Sequence, residues 1–399
     1  MNRAFLSFFM LFAFRAMICI SMIFVPIHLR NLEFTGWQIG MLMGMESITA
    51  LISTVPMGVS NDLFSSRGLI LCSFAFLAPA FFLISVAESF SVLVVVFVVM
   101  GICFGLLQIS LRALIFKTTG DDNREKRMAV MTFSEHAGLA LGSVLGGVLL
   151  LSLSLHHVFQ INGLLFLLII PLVFFLPKTR TTVFEPAAYR KEFFRRDVIF
   201  FATAAFLFSY HWGAEKTVYV LFLKESLEFS SLGVGIFVGV TVGMLALSSL
   251  FYGRLLALRR DSLKRLIQVG IVLSAVGHLM LALSTSKGEA YLFRIIHELG
   301  DSAFMVYFFV MTSKLFKQSR VGGGSGFIAQ VTVVATFGGA LISGALLESY
   351  GPRVPMIVAS VLSLATLFFV GTAGAAVDDD KVKRSHRAPL HGSPYGTGP

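Results

Sequence analysis

Long apolar segments separated by short polar connections make up most of this chain. A helix needs about 20 mostly apolar residues to cross a bilayer, and twelve segments of the sequence meet that requirement. Hydrophobic residues account for 56% of the chain and charged residues for 14%, whereas soluble domains carry about 25% charged residues. The sequence therefore predicts an all-α, multi-pass integral membrane protein with spans at about 4–29, 36–58, 68–87, 90–116, 128–153, 157–176, 198–223, 231–252, 266–284, 290–316, 325–347 and 354–376.

The first apolar segment begins like a signal peptide, because Arg3 precedes it. The apolar run resumes beyond Arg15 without a small-residue cleavage site, which favours a retained helix. Three cysteines, Cys19, Cys72 and Cys103, each lie in an apolar run. We therefore expect buried thiols rather than a disulfide framework or a metal site.

Lys and Arg are distributed unequally between alternate connections. One side carries 24 of them and the opposite side four. Because positive residues resist translocation, the richer side is predicted to be cytoplasmic, and it includes both termini. The net charge of +10 then reports orientation in a cell (inner) membrane, so we expect contact with anionic lipid and no nucleic-acid partner.

The two halves of the chain share one pattern at a constant offset of 195 residues. NLEFTGWQIGMLMG (31–44) matches SLEFSSLGVGIFVG (226–239), and Gly58 matches Gly253 after the second helix of each half. Parallel repeats of this kind enclose a substrate site between them. The sequence predicts two six-helix halves, 1–176 and 198–377, joined by a cytoplasmic linker, 177–197. The polar tail, 378–399, is predicted to be disordered and cytoplasmic.

The connection after the second segment, GVSNDLFSSRG (58–68), resembles the signature of the major facilitator superfamily. That signature is a Gly, three residues, Asp, a basic residue, any residue, Gly and two basic residues. Gly58, Asp62 and Arg67 match it, whereas the residues at 63, 65 and 66 depart. The resemblance implies a transporter of twelve helices, in which this loop is a conformational latch that stabilises the outward-facing state. A tight turn with ordinary cytoplasmic charges is the alternative.

Glycines recur every four residues in the fifth segment, GLALGSVLGG (138–147). Gly138, Gly142 and Gly146 share one helix face, where a neighbouring helix can approach closely, and Gly147 follows. The segment also resembles the fifth-helix motif of the superfamily's antiporters, with Ser143 in place of its Pro. The resemblance implies exchange of a solute for protons and favours efflux, whereas helix packing alone explains the same glycines.

Four ionisable residues lie within the tenth segment, in RIIHELGD. At 100° per residue, Arg294, His297, Glu298 and Asp301 fall within an arc of about 100° on one helix face. A charge in the middle of a membrane is costly and normally faces protein or a water-filled cavity. We therefore interpret this face as a binding site for substrate or protons. A static network of salt bridges is the alternative.

Other spans carry charges as well. Arg15 and Glu46 lie near the middle of the first and second segments, where they can pair, and the seventh segment holds His211, Glu215 and Lys216. These residues complete the candidate substrate and proton-coupling set.

The resemblance to the superfamily implies that the first, fourth, seventh and tenth helices line the cavity. It also implies an Arg on the fourth helix, which this sequence lacks at mid-depth. Arg112 lies close enough to the cytoplasmic surface to extend to it and is set aside, and Glu135 and His136 lie nearer that end of the fifth segment.

These features favour a secondary active transporter that moves a small polar or amphipathic solute by alternating access, coupled to protons. An importer of an organic anion, with a cationic site of Arg15, Lys216 and Arg294, is the alternative within the same class. A sensor or scaffold that retains the fold without transporting is the alternative from a different class. We expect a monomer.

Two other classes are disfavoured. VGGGSGF (321–327) lacks the Lys-Ser/Thr pair of a phosphate-binding loop, which argues against an ATP-driven pump. No segment has a nucleophile elbow or H-x-x-x-H spacing, so we expect no catalytic residue, metal or cofactor.

Overall fold

The computed structural model describes residues 3–118, 124–177, 193–258, 263–315 and 321–370. Within these ranges the backbone forms helices and no strand. Two π-helical segments, Glu215–Tyr219 and Phe222–Ser226, follow the ninth helix. The α-helices are α1 Arg3–Met22, α2 Val25–Asn31, α3 Gly36–Leu63, α4 Ser66–Val86, α5 Phe90–Thr118, α6 Arg124–Leu149, α7 Leu155–Leu168, α8 Ile170–Val173, α9 Arg196–Ala214, α10 Ser231–Leu258, α11 Leu263–Leu283, α12 Lys287–Leu315, α13 Val321–Tyr350 and α14 Arg353–Ala365.

Every predicted apolar segment overlaps a helix. In the described part of the chain, eight helical stretches are long and apolar enough to cross a membrane: Phe5–Asn31, Ser66–Val86, Phe90–Arg112, Leu155–Val173, Ser231–Leu255, Arg265–Leu283, Phe327–Tyr350 and Arg353–Val370. The second, fifth, seventh and tenth predicted segments coincide with α3, α6, α9 and α12 but are not among these eight. The fold is therefore all-helical and multi-pass, and the count of twelve spans stays a prediction.

Large apolar side chains are exposed on many of these helices. Ile52, Phe76, Leu247 and Phe368 are examples, and Phe368 is 80% exposed. An apolar exterior of this extent is unfavourable in water but suits the hydrocarbon of a bilayer. Inside, aromatic rings pack between helices, as where Phe208 of α9 stacks on Phe304 of α12 with ring centroids 3.7 Å apart.

The turn before α3 has the same backbone conformation as the turn before α10. Glu33 has φ +62° and Glu228 has φ +52°, both in the left-handed region that few residues other than glycine adopt. The two residues are separated by the 195-residue offset of the repeated pattern. Equivalent positions of that pattern therefore share an unusual turn as well as a sequence.

In the described part of the chain, glycines bring several pairs of helices into close contact. A Cβ on Gly138, Gly142 or Gly146 would lie 2.1–2.3 Å from a carbonyl oxygen of α1, which leaves no room for a side chain. Gly147 lies against the start of α10. Gly40 meets Gly344, which joins α3 to α13. Gly213 and Gly339 bring α9 against α13, and Gly277 and Gly300 bring α11 against α12. The helices that surround the charged residues are therefore packed backbone to backbone.

Candidate functional site

The ionisable residues of α12 lie inside the bundle. Arg294, His297, Glu298 and Asp301 are each at most 5% exposed. Their spacing places them on one face of the helix, directed at α9, α11 and the π-helical segment after α9. A buried charge is stable only when it is paired or hydrogen-bonded, so the partners of these four residues define the site.

The change from α-helix to π-helix after Ala214 positions Glu215, the first partner of Arg294. Glu215 is the first residue of the π-helical segment, and π-helical turns are frequent at functional sites. Arg294 donates from Nη1 to Oε1 of Glu215 and from Nη2 to Oε2 at 3.1 Å. Its Nε donates to Oε1 of Glu298 at 2.9 Å. The guanidinium also lies over the ring of Tyr219, 4.4 Å from the centroid.

Two histidines approach the same carboxylate. Nε2 of His297 lies 3.1 Å from Oε1 of Glu215, and Nδ1 of His278 on α11 lies 3.3 Å from that oxygen. Neither contact has the angles of a hydrogen bond, and both nitrogens of His278 are buried without a hydrogen-bond partner among the residues that the structure describes. On the other side of the ring, Nδ1 of His297 lies 2.8 Å from the carbonyl oxygen of Ser274.

Asp301 forms the other end of the charged cluster. Its Oδ2 accepts from Nε1 of Trp212 at 3.0 Å and lies 3.1 Å from Nε2 of His211. Its Oδ1 accepts from the hydroxyl of Ser274 at 2.6 Å. Nδ1 of His211 is 2.5 Å from the carbonyl oxygen of Phe208. The cluster thus joins α9, α11 and α12 in one network of charged and polar groups.

A second buried ion pair lies between α5 and α6. Arg112 donates from Nε and Nη2 to the two carboxylate oxygens of Glu135 at 2.7 and 2.8 Å. Glu135 is buried, and Arg15 of α1 is close enough to interact with it electrostatically. Nε of Arg15 is buried and has no hydrogen-bond partner among the described residues. This arrangement corrects the expectation that Arg112 only extends towards the surface.

A cavity lies between the two sets of charges. It has a volume of about 150 Å³ and is lined by His136 of α6, Trp212 of α9, Leu245 of α10, and Asp301 and Met305 of α12. Nδ1 of His136 is 2.8 Å from the carbonyl oxygen of Thr132. Polar groups of α6 and α12 therefore face one small space that also has apolar walls.

The remaining predicted residues divide into those the structure describes and those it does not. Lys216 is half-buried beside Glu215. Arg67 donates to the carbonyl oxygen of Phe174 at 2.9 Å, at the end of the sixth segment. The side chains of Glu46 and Asp62, and the surroundings of Gly58, lie outside the described part of the chain, so neither the Arg15–Glu46 pair nor the Asp62 latch contact is visible.

Sequence reasoning missed several residues of these networks, among them Trp212 and Tyr219. His278 and Ser274 lie in the ninth segment and are not among the predicted site residues, although a lone His in an apolar span is itself a signal of function. Arg112 was left out of the predicted site because its position in the sequence placed it near the cytoplasmic surface of the membrane. In each case the information that was lacking was which helices are neighbours.

Comparison with known proteins agrees with this architecture. A bundle of apolar helices that buries a charged cluster beside a cavity is the arrangement of a membrane transporter. The profile of the Major Facilitator Superfamily matches residues 4–266 and, in an overlapping match, 217–394. The chain therefore belongs to the Major Facilitator Superfamily, and it is a membrane transporter of small molecules and not an enzyme. No curated protein matches it in sequence.

Solved transporters share the fold at low identity. The nucleoside transporter NupG is 14% identical with a TM-score of 0.74, over 94% of this chain and 99% of that one. A POT family transporter in complex with 5-aminolevulinic acid is 11% identical with a TM-score of 0.77, over 94% and 96% of the two chains. The human organic anion transporter MFSD10 (TETRAN) is 16% identical with a TM-score of 0.68, over 92% and 98%. Identities this low indicate a common fold and leave the substrate open.

Proposed function

We propose that this protein is a proton-coupled secondary active transporter that moves a small polar or amphipathic solute by alternating access. The observation that carries the proposal is the orientation of two buried histidines. His297 and His211 each place Nδ1 against a backbone carbonyl oxygen, which can only accept, so Nδ1 carries a hydrogen. Nε2 of each ring faces a carboxylate oxygen at 3.1 Å. A lone pair facing a carboxylate is repulsive unless a proton or another cation lies between them.

The balance of charge in the cluster supports the same proposal. The ion pairs between described residues connect three carboxyl groups, on Glu215, Glu298 and Asp301, with one permanent cation, Arg294, and with the histidines. Counted over these groups, the cluster is two positive charges short of neutrality, and uncompensated charge is expensive in a buried site. Two protons, held by the imidazoles or shared with the carboxylates, make the cluster neutral. A group of residues that needs two protons when closed, and can release them when opened to water, is suited to proton coupling.

The repeated architecture supports alternating access. We assign twelve spans to two halves, 1–176 and 198–377, with the linker 177–197 and both termini on the cytoplasmic side. Gly40 of α3 meets Gly344 of α13, and its counterpart at the 195-residue offset, Gly235 of α10, meets Gly147 of α6. Equivalent glycines thus form equivalent contacts between the halves, as a two-fold related pair of halves requires.

These contacts lie at the end of the bundle that the distribution of Lys and Arg assigns to the outside. Arg30, which precedes α3, lies 3.4 Å from Glu225 before α10. Glu348 of α13 accepts from the backbone N–H of Gly36, the first residue of α3, at 2.5 Å. The structure therefore fits a state that is closed towards the outside, in which a solute would exchange with the cytoplasm.

The cavity supports a small solute with apolar and polar parts. Trp212, Leu245 and Met305 offer apolar surface, and His136 and Asp301 offer polar groups. The organic-anion alternative is less favoured, because one of its three cationic groups, Arg294, is already paired with two carboxylates. The fifth-helix glycine motif favours efflux in exchange for protons.

The proposal is tested with purified protein in two steps. A thermal-shift screen of metabolites and drugs identifies a ligand, and proteoliposomes then measure its movement with and without an imposed pH gradient. We expect accumulation that a protonophore abolishes, whereas counterflow of the ligand persists. A rate and extent of ligand transport that do not change with the pH gradient would contradict proton coupling. Binding without movement in either direction would instead support the sensor or scaffold.

A further inference from the structure

Three side chains from three separate helical elements converge on one point of the charged cluster. Glu215 comes from the π-helical segment, His278 from α11 and His297 from α12, and one ligand atom of each lies within 4.8 Å of the others. His278 and His297 are 1% and 0% exposed. Because each residue comes from a different helix, no spacing within one segment reveals the group.

Within the described part of the chain, the histidine nitrogens that face this point lack hydrogen-bond partners. Nε2 of His297 and both nitrogens of His278 are buried and unpartnered. When the ring of His297 is neutral, the bond from its Nδ1–H to the carbonyl of Ser274 leaves the lone pair on Nε2. A histidine that ligates a metal is held in the same way, by a backbone carbonyl on the far side of the ring. Buried polar atoms normally have partners, so this convergence is itself an unexplained feature.

The distances between the ligand atoms fit a metal ion. Oε1 of Glu215 is 3.1 Å from Nε2 of His297 and 3.3 Å from Nδ1 of His278. Ligands bound to Zn²⁺ at about 2.0–2.1 Å in a tetrahedron are about 3.3 Å apart. The two contacts of Glu215 with the histidines lack the angles of hydrogen bonds. Their lengths are those expected between two ligands of one metal ion.

The charge of the cluster fits a divalent ion as well. Glu215, Glu298 and Asp301 together with Arg294 leave two negative charges, which one divalent cation neutralises while the histidines remain neutral, as ligation demands. Arg294 would keep its contacts with Oε2 of Glu215 and with Glu298 when Oε1 turns to the ion. Two imidazoles and one carboxylate favour Zn²⁺ and its first-row neighbours over Mg²⁺ or Ca²⁺, which prefer oxygen.

We propose that Glu215, His278 and His297 form a binding site for one divalent transition-metal ion of the Zn²⁺ class. A second group at the same cluster, His211, His297 and Asp301, shares His297 and offers further ligands. The ion would bind in place of the two protons of the proposed function, so this inference rests on the same cluster of residues as that proposal. Its binding does not depend on whether transport is driven by protons.

The site is tested by titrating ZnCl₂ into the purified, metal-free transporter with isothermal titration calorimetry. We expect one ion per chain, and at least a tenfold loss of affinity in each of His278→Ala and His297→Ala. His157→Ala is the matched control, because His157 is an exposed histidine at the start of α7, and it should bind as the wild type does. X-ray absorption of the loaded protein should show nitrogen and oxygen ligands at about 2.0–2.1 Å.

Two results would overturn the site: no saturable binding to the wild type, or unchanged affinity in both cluster variants. His278→Gln, checked for a single peak in gel filtration, keeps the test informative if an Ala variant unfolds. Transport measured with a chelator present separates this proposal from the proposed function. Proton-driven transport in metal-free buffer without Zn²⁺ binding would overturn the metal site alone, whereas Zn²⁺ binding without proton-driven transport would overturn only the coupling.

Discussion

Glu215 and Arg294 form a two-point ion pair that joins the π-helical segment after α9 to α12. The same guanidinium holds Glu298 one turn further along α12, so a single cation bridges two carboxylates that belong to different helices. If Arg294 moves away from either carboxylate, that carboxylate becomes a buried charge without its ion-pair partner. Movement of α9 relative to α12 would therefore leave one of these carboxylates unpaired, and this is how we propose that a conformational change is coupled to the binding of a cation.

Neutralising either acid of α12 should separate coupling from transport. We expect Glu298→Gln and Asp301→Asn each to reduce proton-driven accumulation by at least about tenfold, which corresponds to about 1.4 kcal/mol, because each removes a negative charge that a proton balances. Counterflow of the same solute should persist, since it needs no net proton movement. Both activities are measured in proteoliposomes.

The control for this prediction lies on the same helix. Glu289 is exposed at the start of α12, and the backbone N–H groups of Thr285 and Ser286 lower its pKa. Glu289→Gln should leave accumulation unchanged. If counterflow, accumulation and folding all fail together in Glu298→Gln and Asp301→Asn, the two acids are structural salt-bridge partners.

The ion pair between Arg112 and Glu135 should contribute to stability rather than to coupling. Its charges balance each other, and the contact is two-point at 2.7 and 2.8 Å. Arg112→Ala leaves Glu135 buried without its main partner and should destabilise the protein by about 1–3 kcal/mol. Because the Arg112 side chain is 31% exposed, we expect the lower part of that range.

A double-mutant cycle checks this assignment by thermal unfolding in detergent. Arg112→Met with Glu135→Leu should restore most of the stability, since a well-packed apolar pair replaces a buried ion pair at little cost. Loss of transport in the double variant, at wild-type stability, would show that the pair has a role in coupling.

Helical periodicity was sufficient to find the charged face of α12, because an uninterrupted α-helix keeps residues three, four and seven positions apart on one side. The same reasoning fails after Ala214, where the π-helix changes the number of residues per turn and so the direction of Glu215. Periodicity also identifies which residues share one side of a helix, but not which helix that side contacts. His278 and Arg112 were missed for that reason, since their roles depend on α11 and α6 as neighbours.

The glycine pattern carried more three-dimensional information than the charges. A glycine repeated at an offset of 195 residues specifies a close approach in each half, and Gly40 and Gly235 both lie at such an approach. Their helix partners, α13 and α6, could not be read from the sequence. What the sequence could supply was the position of tight packing and the equivalence of the two sites.

Two glycines that differ only in their surroundings should respond oppositely to alanine. A Cβ on Gly142 would lie 2.2 Å from the carbonyl oxygen of Ala16, whereas nothing lies within 4 Å of a Cβ on Gly243 of α10. We expect Gly142→Ala to cost about 1–3 kcal/mol, because α1 and α6 must move apart. Gly243→Ala should be neutral or stabilise the protein by up to about 1 kcal/mol through helix propensity. Thermal unfolding of both variants decides this, and equal effects would mean that the contact of α6 with α1 can relax.

The last prediction concerns two carboxylates that we place at opposite ends of the contact between the halves. Glu348 accepts from the N–H of Gly36 at the end that we assign to the outside, where a helix N-terminus favours negative charge. Asp62, near the end of α3, belongs to the segment that we propose as the cytoplasmic latch. Glu348→Ala should weaken outer closure, whereas Asp62→Asn should weaken the outward-facing state. The readout is a cysteine at Ala340, which is buried where α13 meets α3, in a background that lacks Cys19, Cys72 and Cys103.

An impermeant thiol reagent applied from outside should label this cysteine faster in Glu348→Ala and more slowly in Asp62→Asn than in the parent. A change of about threefold in the population of open protein corresponds to roughly 0.6 kcal/mol, which is within the range of a single exposed charged hydrogen bond. Glu289→Gln, also at the outer end, should label at the parental rate. Shifts in the same direction would mean that both substitutions only loosen the bundle, because two opposed latches must change the equilibrium in opposite senses.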